Sequence, residues 1–304
     1  MRNSIYHYTS MECFLSMLKT FRESNSKWFE LWASSIFYMN DSRELYHGYD
    51  MLMNSILPDI EEKMSLSPEL RVSRIWSGAD GRRKEADYKK SFIDSLMKNN
   101  GTPFVVSFSR KKDDSTMWDR YGDKGRGVCL VFSEYDYEFV PAELPKDSGV
   151  EKVTAMQVND VCYDGCLDEC CRKVLVNTYG KLCGEAGNTT DAKELFGLKL
   201  KYLSSFVAVL AAFIKIKDFA SEDETRFIEF VSDDECVLFR CAKDGTLIPF
   251  IKKKVPICDF RGVYVGPASR VELNKKALES MFHNNKALAD KFVRTSNLSP
   301  DLFR

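Results

Sequence analysis

Apolar and polar residues follow two different spacings along the first 64 residues of the chain. Residues 4–8 (SIYHY) and Trp28–Ser35 have the length and composition of short strands. Apolar side chains recur at helical spacing over Met11–Leu18 and again over Leu45–Met64, which predicts two helices. Thr9 and Ser10 offer an N-cap for the first helix, and Glu12 has a capping-box spacing from Thr9. The pattern therefore places His7 at the end of a strand, just before a helix N-terminus.

Short predicted strands and helices alternate irregularly through the rest of the chain. Helices are predicted at Lys89–Met97, over most of 164–217 and at Leu273–Met281, with a short turn or helix at Thr116–Tyr121. The predicted strands are Pro103–Ser109, Val128–Phe132, Val153–Tyr163, Glu224–Phe230, Val237–Arg240, Ile248–Phe250 and Gly262–Val265. This order is typical of an α+β fold with a central, mixed, mainly antiparallel sheet. We expect one domain over residues 1–304, with a largely helical insertion at about 164–217.

The overall charge excludes some classes of partner. Lysine and arginine total 44 and aspartate and glutamate total 45, so the net charge is −1. A protein that coats long nucleic acids or a membrane surface usually carries a large positive excess. The longest apolar stretch, Leu203–Ile216, is too short to span a bilayer, which needs roughly 20 apolar residues. We therefore expect a buried core helix there, and no membrane partner.

Ten cysteines occur in a chain whose first residues, MRNSIYHYTS, lack the apolar core of a secretory signal. Without an export signal a disulfide framework is not expected, so we predict a reducing, cytoplasmic location. Cys162, Cys166, Cys170 and Cys171 would share a stripe on a helix. Structural zinc sites more often draw pairs of ligands from loops, so no metal site is predicted at this cluster.

Two polar segments near the start of the chain are candidates for a site. His7 could hydrogen-bond a ligand hydroxyl or phosphate ahead of the helix, or it could pack between Tyr6 and Tyr8. The segment Asn40-Asp41-Ser42-Arg43-Glu44 follows an aromatic strand end. Helix capping is enough to explain one or two of its polar side chains.

Two further segments carry polar groups in patterns that favour a ligand site. Ser107 and Ser109 share one face of a predicted strand, and buried hydroxyls need partners. Trp118 and Tyr121 lie three residues apart, and an aromatic surface beside hydroxyls suits a planar ligand such as nicotinamide. A buried aromatic pair with backbone-bonded serines explains the same pattern equally well.

An acidic run ends in a predicted strand at Glu222-Asp223-Glu224-Thr225-Arg226. If Glu224 and Arg226 lie on a strand, their side chains share a face and can pair. The alternative is a surface acidic run, in which exposed pairs contribute little stability.

These segments together resemble a bacterial protein family. The motifs are YHYTS, FYMNDSREL, FVVSFSRKKDDSTMWDRYGDKGRGVCLVF, KDFASEDETRFIEF and VYVGP, spread over about residues 5–270. They resemble the family called domain of unknown function 2971. That family name implies no activity.

A second resemblance does imply an activity. A strand that ends in His-x-Thr and leads into a helix and a second strand is similar to the opening of ADP-ribosyltransferase-like folds. The resemblance implies that His7 holds the ribose of NAD, that Thr9 bonds the nicotinamide side, and that Tyr38 or Tyr121 stacks on nicotinamide. It also implies that Glu224, or Glu222, is the catalytic carboxylate. The remaining residues expected around NAD are Tyr8, Asn40, Asp41, Ser107, Ser109, Trp118 and Arg226.

Three hypotheses of function follow. The first is an NAD-dependent ADP-ribosyltransferase with a nucleic-acid or protein acceptor, such as a toxin or phage-defence effector with an antitoxin or regulatory partner. The second is a nuclease in which Asp41, Glu44 and Glu224 bind Mg²⁺. The third is a non-catalytic module that binds a nucleotide or a protein partner.

Overall fold

The structure is a computed structural model, and most of the chain can be described in it. The described residues are 4–24, 27–39, 43–76, 94, 101–134, 157–164, 167, 169–187, 189, 191–231, 237–242 and 244–303. The strands are β1 (Ser4–Thr9), β2 (Trp28–Ser35), β3 (Thr102–Ser109), β4 (Val128–Ser133), β5 (Gln157–Asp160), β6 (Cys162–Tyr163), β7 (Ile214–Lys215), β8 (Glu224–Val231), β9 (Leu238–Cys241), β10 (Leu247–Pro256), β11 (Phe260–Val265) and β12 (Phe292–Thr295).

Helices alternate with these strands irregularly along the chain. The α-helices are α1 (Met11–Ser24), α2 (Glu44–Met51), α3 (Leu57–Lys63), α4 (Ser73–Trp76), α5 (Ser115–Arg120), α6 (Glu169–Ala186), α7 (Ala192–Ala212) and α8 (Val271–His283). Short 3₁₀ turns cover Ile36–Tyr38, Lys217–Glu222 and Pro300–Phe303, and a π-helical turn covers Leu52–Ile56. The predicted α+β class is confirmed.

The strands form a large mixed sheet in the order β12-β11-β4-β1-β3-β2-β10-β9. All of the neighbours in this order are antiparallel except β11 and β12. β8 pairs with β3 and with β5, both antiparallel, and β6 and β7 form a separate parallel pair. The prediction of a mixed, mainly antiparallel sheet is therefore confirmed.

The sheet divides at β3. One side of β3 pairs with β8 over its whole length, from Thr102 to Ser109. On the other side β2 pairs only at Phe104 and Val105, and β1 pairs only at Ser109. β1 and β2 therefore diverge along this side of β3, and residues 106–108 lie in the gap between them. We call this gap the sheet fork.

Apolar side chains explain where the helices pack. α1 and α8 contribute Phe14, Leu18, Leu278 and Phe282 to a core that also contains Phe29, Leu130 and Phe260 from the sheet. A second core joins α2, α3, α6 and α7 to β3, β7 and β8. The apolar stretch near Leu203–Ile216 ends in this second core, where residues 207–214 are buried. That is the core role predicted for it.

The close packing of α2 against α7 depends on Gly48. A Cβ built on Gly48 would lie 2.0 Å from the carbonyl oxygen of Ala211. Only glycine allows the two helices to approach this closely. This contact fixes α2, whose first residue is Glu44.

Several element boundaries differ from the sequence predictions for local physical reasons. The helix predicted over Leu45–Met64 is interrupted by the π-helical turn Leu52–Ile56, just before Pro58, which has no N–H to donate to the helical ladder. The hydroxyl of Ser10, not a Thr9–Glu12 box, caps α1 by accepting from the Cys13 N–H at 3.1 Å. Most of the predicted helix Lys89–Met97 lies outside the described residues, and Asp94 within it is helical.

Candidate functional site

The sheet fork opens into a cavity of about 490 Å³. Its floor includes residues 105–108 of β3, and one wall is formed by β1 residues Tyr6 to Thr9. β2 contributes Trp32 and Ser34 to the other wall. β1 and β2 thus diverge and leave room for a ligand above β3.

His7 occupies the fork itself. Its Nδ1 lies 2.9 Å from the carbonyl oxygen of Ser107, and its ring meets Phe108 edge-on at 5.7 Å. A carbonyl only accepts hydrogen bonds, so Nδ1 carries the proton and donates. Burial lowers the pKa of His7, although the bond to Ser107 acts in the opposite direction. Neutral His7 therefore keeps its Nε2 as a hydrogen-bond acceptor for a ligand hydroxyl.

A buried carboxylate–arginine pair lies at the cavity wall, with Glu224 in the lining and Arg226 behind it. Arg226 is fully buried, and its Nε donates to Glu224 Oε1 at 2.7 Å while a terminal nitrogen reaches Oε2 at 3.0 Å. The same guanidinium bonds Glu44, and it donates to the carbonyl of Ala212 at 2.7 Å. Ala212 is the last residue of α7, where the helix dipole favours a cation. The predicted pairing of Glu224 with Arg226 on one strand face is present.

Lys215 joins this pair to a second carboxylate. Its Nζ lies 2.7 Å from Glu222, 2.9 Å from Glu224 and 3.9 Å from Glu44. Asp223, between the two glutamates, has a left-handed backbone (φ 46°) and ends the 3₁₀ turn. The left-handed residue lets Glu222, the last residue of the 3₁₀ turn, and Glu224, the first residue of β8, contact the same ammonium. We call Glu44, Lys215, Glu222, Glu224 and Arg226 the buried charge cluster.

Glu222 also contacts groups nearer to solvent. Its Oε1 accepts from Tyr121 Oη at 2.8 Å and from Arg120 at 2.9 Å. Arg120 is 40% exposed and lies over the ring of Phe219, which Lys215 also approaches. Glu222 therefore connects the buried charge cluster to an aromatic edge of the cavity.

The cluster shifts the pKa values of its members in different directions. Burial alone would raise the pKa of Glu224, but Arg226 and Lys215 outweigh burial, and the Ser107 hydroxyl adds to their effect, so the pKa falls to about 2. For Glu44 burial dominates and raises the pKa, although Arg226 and Lys215 oppose it. Burial would lower the pKa of Lys215, but Glu224 and Glu44 raise it overall. At neutral pH, Glu224 is ionised and Lys215 is protonated.

Most of the residues predicted for the site do meet at this cavity. Its lining includes the predicted residues His7, Tyr8, Thr9, Tyr38, Ser107, Tyr121, Glu222 and Glu224. Tyr8 also ties the wall to the loop after β3, since its hydroxyl donates to the carbonyl of Lys111 at 2.9 Å. Asn40 and Asp41 lie outside the described residues.

Three predicted residues are buried behind the lining. Ser109 is fully buried and donates to the carbonyl of Glu222 at 2.6 Å. Trp118 is fully buried, meets Tyr8 edge-on at 5.0 Å, and donates to Asp113 at 2.8 Å. With Arg226, these residues hold the lining in place. Ser109 thus bonds to the backbone and Trp118 packs as a buried aromatic, which is the alternative to a ligand contact that the sequence left open.

Sequence reasoning missed several charged residues of the cavity. Lys215 lies on the two-residue strand β7, just after α7. The sequence predicts mostly helix through this region, so it does not indicate a site there. Arg120 lies directly before Tyr121, and its position within the Trp118–Tyr121 motif could have indicated it as a site residue. Arg240, on β9, also lines the cavity.

Two of the three carboxylates in the Mg²⁺ hypothesis already have cationic partners, and the third, Asp41, lies outside the described residues. Glu44 and Glu224 are bonded to Arg226, and Lys215 lies beside both. In the described part of the chain, no group of three or more His, Cys, Asp or Glu side chains is placed to hold a metal ion. Of the cysteine cluster, Cys171 is buried in the helical core, and Cys162 lies on β6 and packs against that core.

Comparisons with protein-family models, with curated proteins and with solved structures gave no match. The resemblances to the domain of unknown function 2971 family and to ADP-ribosyltransferase-like folds therefore remain predictions from motifs. No helix among the described residues is long and apolar enough to cross a membrane.

Proposed function

We propose that this protein is an NAD⁺-dependent ADP-ribosyltransferase, with an ADP-ribosyltransferase-like fold and its NAD⁺ site in the sheet fork. The observation that supports this most is that His7, from the first strand, meets Glu222 and Glu224 at one cavity. Glu222 ends a 3₁₀ turn and Glu224 begins the late strand β8. The motif resemblance predicts this combination, although His7 lies more than 200 positions before both glutamates in the sequence.

The cavity suits a nucleotide in size and lining. About 490 Å³ falls within the range of roughly 300–1,000 Å³ usual for small-molecule sites. Tyr38 and Tyr121 offer aromatic faces for the nicotinamide ring. His7 Nε2 is an acceptor for a ribose hydroxyl, because Nδ1 is committed to Ser107.

The reaction breaks the bond between ribose C1′ and the nicotinamide nitrogen. The bonding electron pair leaves with nicotinamide, which departs neutral, and positive charge develops on the ribose. An ionised carboxylate near C1′ stabilises that charge. An acceptor nucleophile on a nucleic acid or protein then bonds to C1′ and loses a proton. The carboxylate keeps its charge throughout.

Glu222 is the better candidate for this carboxylate. Both oxygens of Glu224 are held by the fully buried Arg226. Glu222 instead bonds Tyr121 and Arg120, which themselves line the cavity. In this proposal Lys215 positions Glu222, and Arg226 holds Glu224, the other carboxylate that Lys215 contacts at less than 3 Å.

The test is nicotinamide release and transfer of labelled ADP-ribose from NAD⁺ by the full chain in cell extract. We expect Glu222→Gln to lower the rate about 10²–10³-fold, as removal of one transition-state-stabilising group does. Glu229→Gln is the matched control, because Glu229 lies on β8 and pairs with Lys253 outside the cavity. Wild-type protein that releases no nicotinamide and transfers no label would refute the proposal.

A nucleotide-binding module without catalysis is the second candidate. The observation in its favour is that both oxygens of Glu222 and both of Glu224 already have protein partners. Saturable binding of ADP-ribose with no turnover of NAD⁺ would favour this second function.

A further inference from the structure

We propose that Arg240, together with Ser34 and Trp32, forms a subsite for the phosphate groups of a nucleotide ligand. This inference rests on the proposed function, because it assigns one end of the same cavity. It goes further by assigning the residues that bind the phosphate groups of that ligand.

The first observation is the charge balance of the cavity lining. Three lysine or arginine side chains line the described cavity: Lys215, Arg120 and Arg240. Lys215 lies within 4 Å of three carboxylates, and Arg120 pairs with Glu222. Arg240 donates to Ser34 Oγ at 3.2 Å, and within the described residues no carboxylate pairs with it. Its positive charge is therefore available to an anionic ligand.

The second observation is the place of Arg240 in the sheet. Arg240 pairs with Ile248 across β9 and β10, and Ser34 pairs with Phe250 across β2 and β10. Arg240 therefore reaches diagonally over β10 to a hydroxyl on β2. β8, which carries Glu224, lies on the far side of β3 from β2, β10 and β9. Glu224 and Arg240 thus lie on strands at opposite sides of β3, and both line the cavity.

The third observation is an unsatisfied donor on β2, two residues before Ser34. Trp32 lines the cavity and packs on Phe250 with ring centroids 4.8 Å apart. Its indole N–H is buried and has no acceptor among the described residues. A buried N–H without a partner is unfavourable, and an acceptor oxygen from a ligand would satisfy it.

These groups together are rich in donors. A guanidinium and an indole N–H can only donate, and the Ser34 hydroxyl, which accepts from Arg240, still has its own proton to donate. Phosphate oxygens are acceptors that match the planar fork of arginine. The ligand would then place its phosphates at Arg240 and its reacting ribose at Glu222 and His7.

The experiment is equilibrium binding of ADP-ribose, adenosine and inorganic pyrophosphate to the purified full chain by calorimetry. We expect Arg240→Gln to weaken ADP-ribose binding about 10- to 100-fold, the size of one lost charged hydrogen-bonding group. The affinity for adenosine should not change. Arg240→Lys, which keeps the charge but not the fork, should lose less. Arg294→Gln is the matched control, because Arg294 is exposed on β12 at the opposite edge of the sheet.

Each outcome decides the inference. Equal affinity of the wild-type and Arg240→Gln proteins for ADP-ribose, with both folded by thermal melting, would overturn it. Wild-type protein that binds none of the three probes at millimolar concentration would overturn it as well. ADP-ribose binding that depends on Arg240 in a protein that never cleaves NAD⁺ would support the subsite while refuting the proposed transferase.

Discussion

Two buried carboxylate sites in this protein are built in opposite ways. Glu61, in α3, is fully buried and accepts from the backbone N–H groups of Val72 and Ser73 at 2.6 and 3.0 Å. It also accepts from the hydroxyls of Ser73 and Tyr179. Glu222 and Glu224 instead face the ammonium of Lys215 and the guanidinium groups of Arg120 and Arg226.

The partners determine what each site can do. Among the described residues, the donors to Glu61 are neutral groups on α4, α6 and the loop before α4, so the carboxylate connects helices of one core. Glu61 does not line the cavity. The buried charge cluster lies at the cavity, where its fixed charges can stabilise charge that develops on a ligand. In this protein the buried carboxylates that adjoin the cavity, Glu222 and Glu224, are therefore the candidates for function.

Loss of Arg226 should have the largest effect on stability. Arg226→Met leaves Glu44 and Glu224 buried with Lys215 as their remaining cluster cation. We expect the free energy of unfolding in urea to fall by about 3–5 kcal/mol, as when one partner of a buried ion pair is removed. Arg120→Met, which removes a partly exposed partner of Glu222, should lower it by about 1 kcal/mol or less. Equal losses in the two variants would show that burial does not distinguish these ion pairs.

Replacement of Glu61 should separate stability from function. Glu61 accepts hydrogen bonds from four donors. Glu61→Gln replaces its carboxylate with an amide, whose NH₂ group can only donate and so cannot accept from any of them. We expect a loss of about 1–3 kcal/mol in the free energy of unfolding, with the affinity for ADP-ribose unchanged at temperatures where the variant is folded. Glu222→Gln should show the reverse, losing turnover of NAD⁺. A Glu61→Gln protein that is stable but no longer binds would contradict the structural role given to Glu61.

The smallest predicted effect is the contribution of His7 to the pH dependence of stability. The folded pKa of His7 lies below its ordinary value of 6.5, so the unfolded chain binds the proton more readily. The contribution of His7 is therefore fully present above pH 6.5 and is lost as the pH falls from 6.5 toward the folded pKa. The loss should be at most about 1.4 kcal/mol per pH unit. Urea unfolding of wild-type and His7→Gln proteins from pH 8 to 5 measures it, and parallel curves would contradict the prediction.

Local patterns in the sequence predicted the elements that carry the first and last parts of the site. β1, β2 and β8 begin at or next to their predicted positions, and the period of two placed Glu224 and Arg226 on one face. The helical spacing of Trp118 and Tyr121 was visible too. Packing against Tyr8 turns Trp118, rather than Tyr121, toward the core. Tyr8 is distant in the sequence, so no local pattern predicts this contact.

The remainder of the site depends on contacts between distant segments. Lys215 follows an apolar helix, and only the fold brings it to three glutamates. Arg240 lies on a strand whose large apolar residues are exposed, so nothing in its neighbourhood marks a cavity. The sheet fork itself arises from how far β1 and β2 each pair with β3, which a periodicity cannot specify.

The sheet fork has a consequence for binding kinetics. Its floor is the main chain of β3, anchored along its full length by β8. A floor of this kind is already in place before any ligand arrives, so little configurational entropy is lost there on association. Recognition at the floor can then proceed as rigid docking, with association rates governed by encounter and orientation rather than by slow rearrangement of that surface.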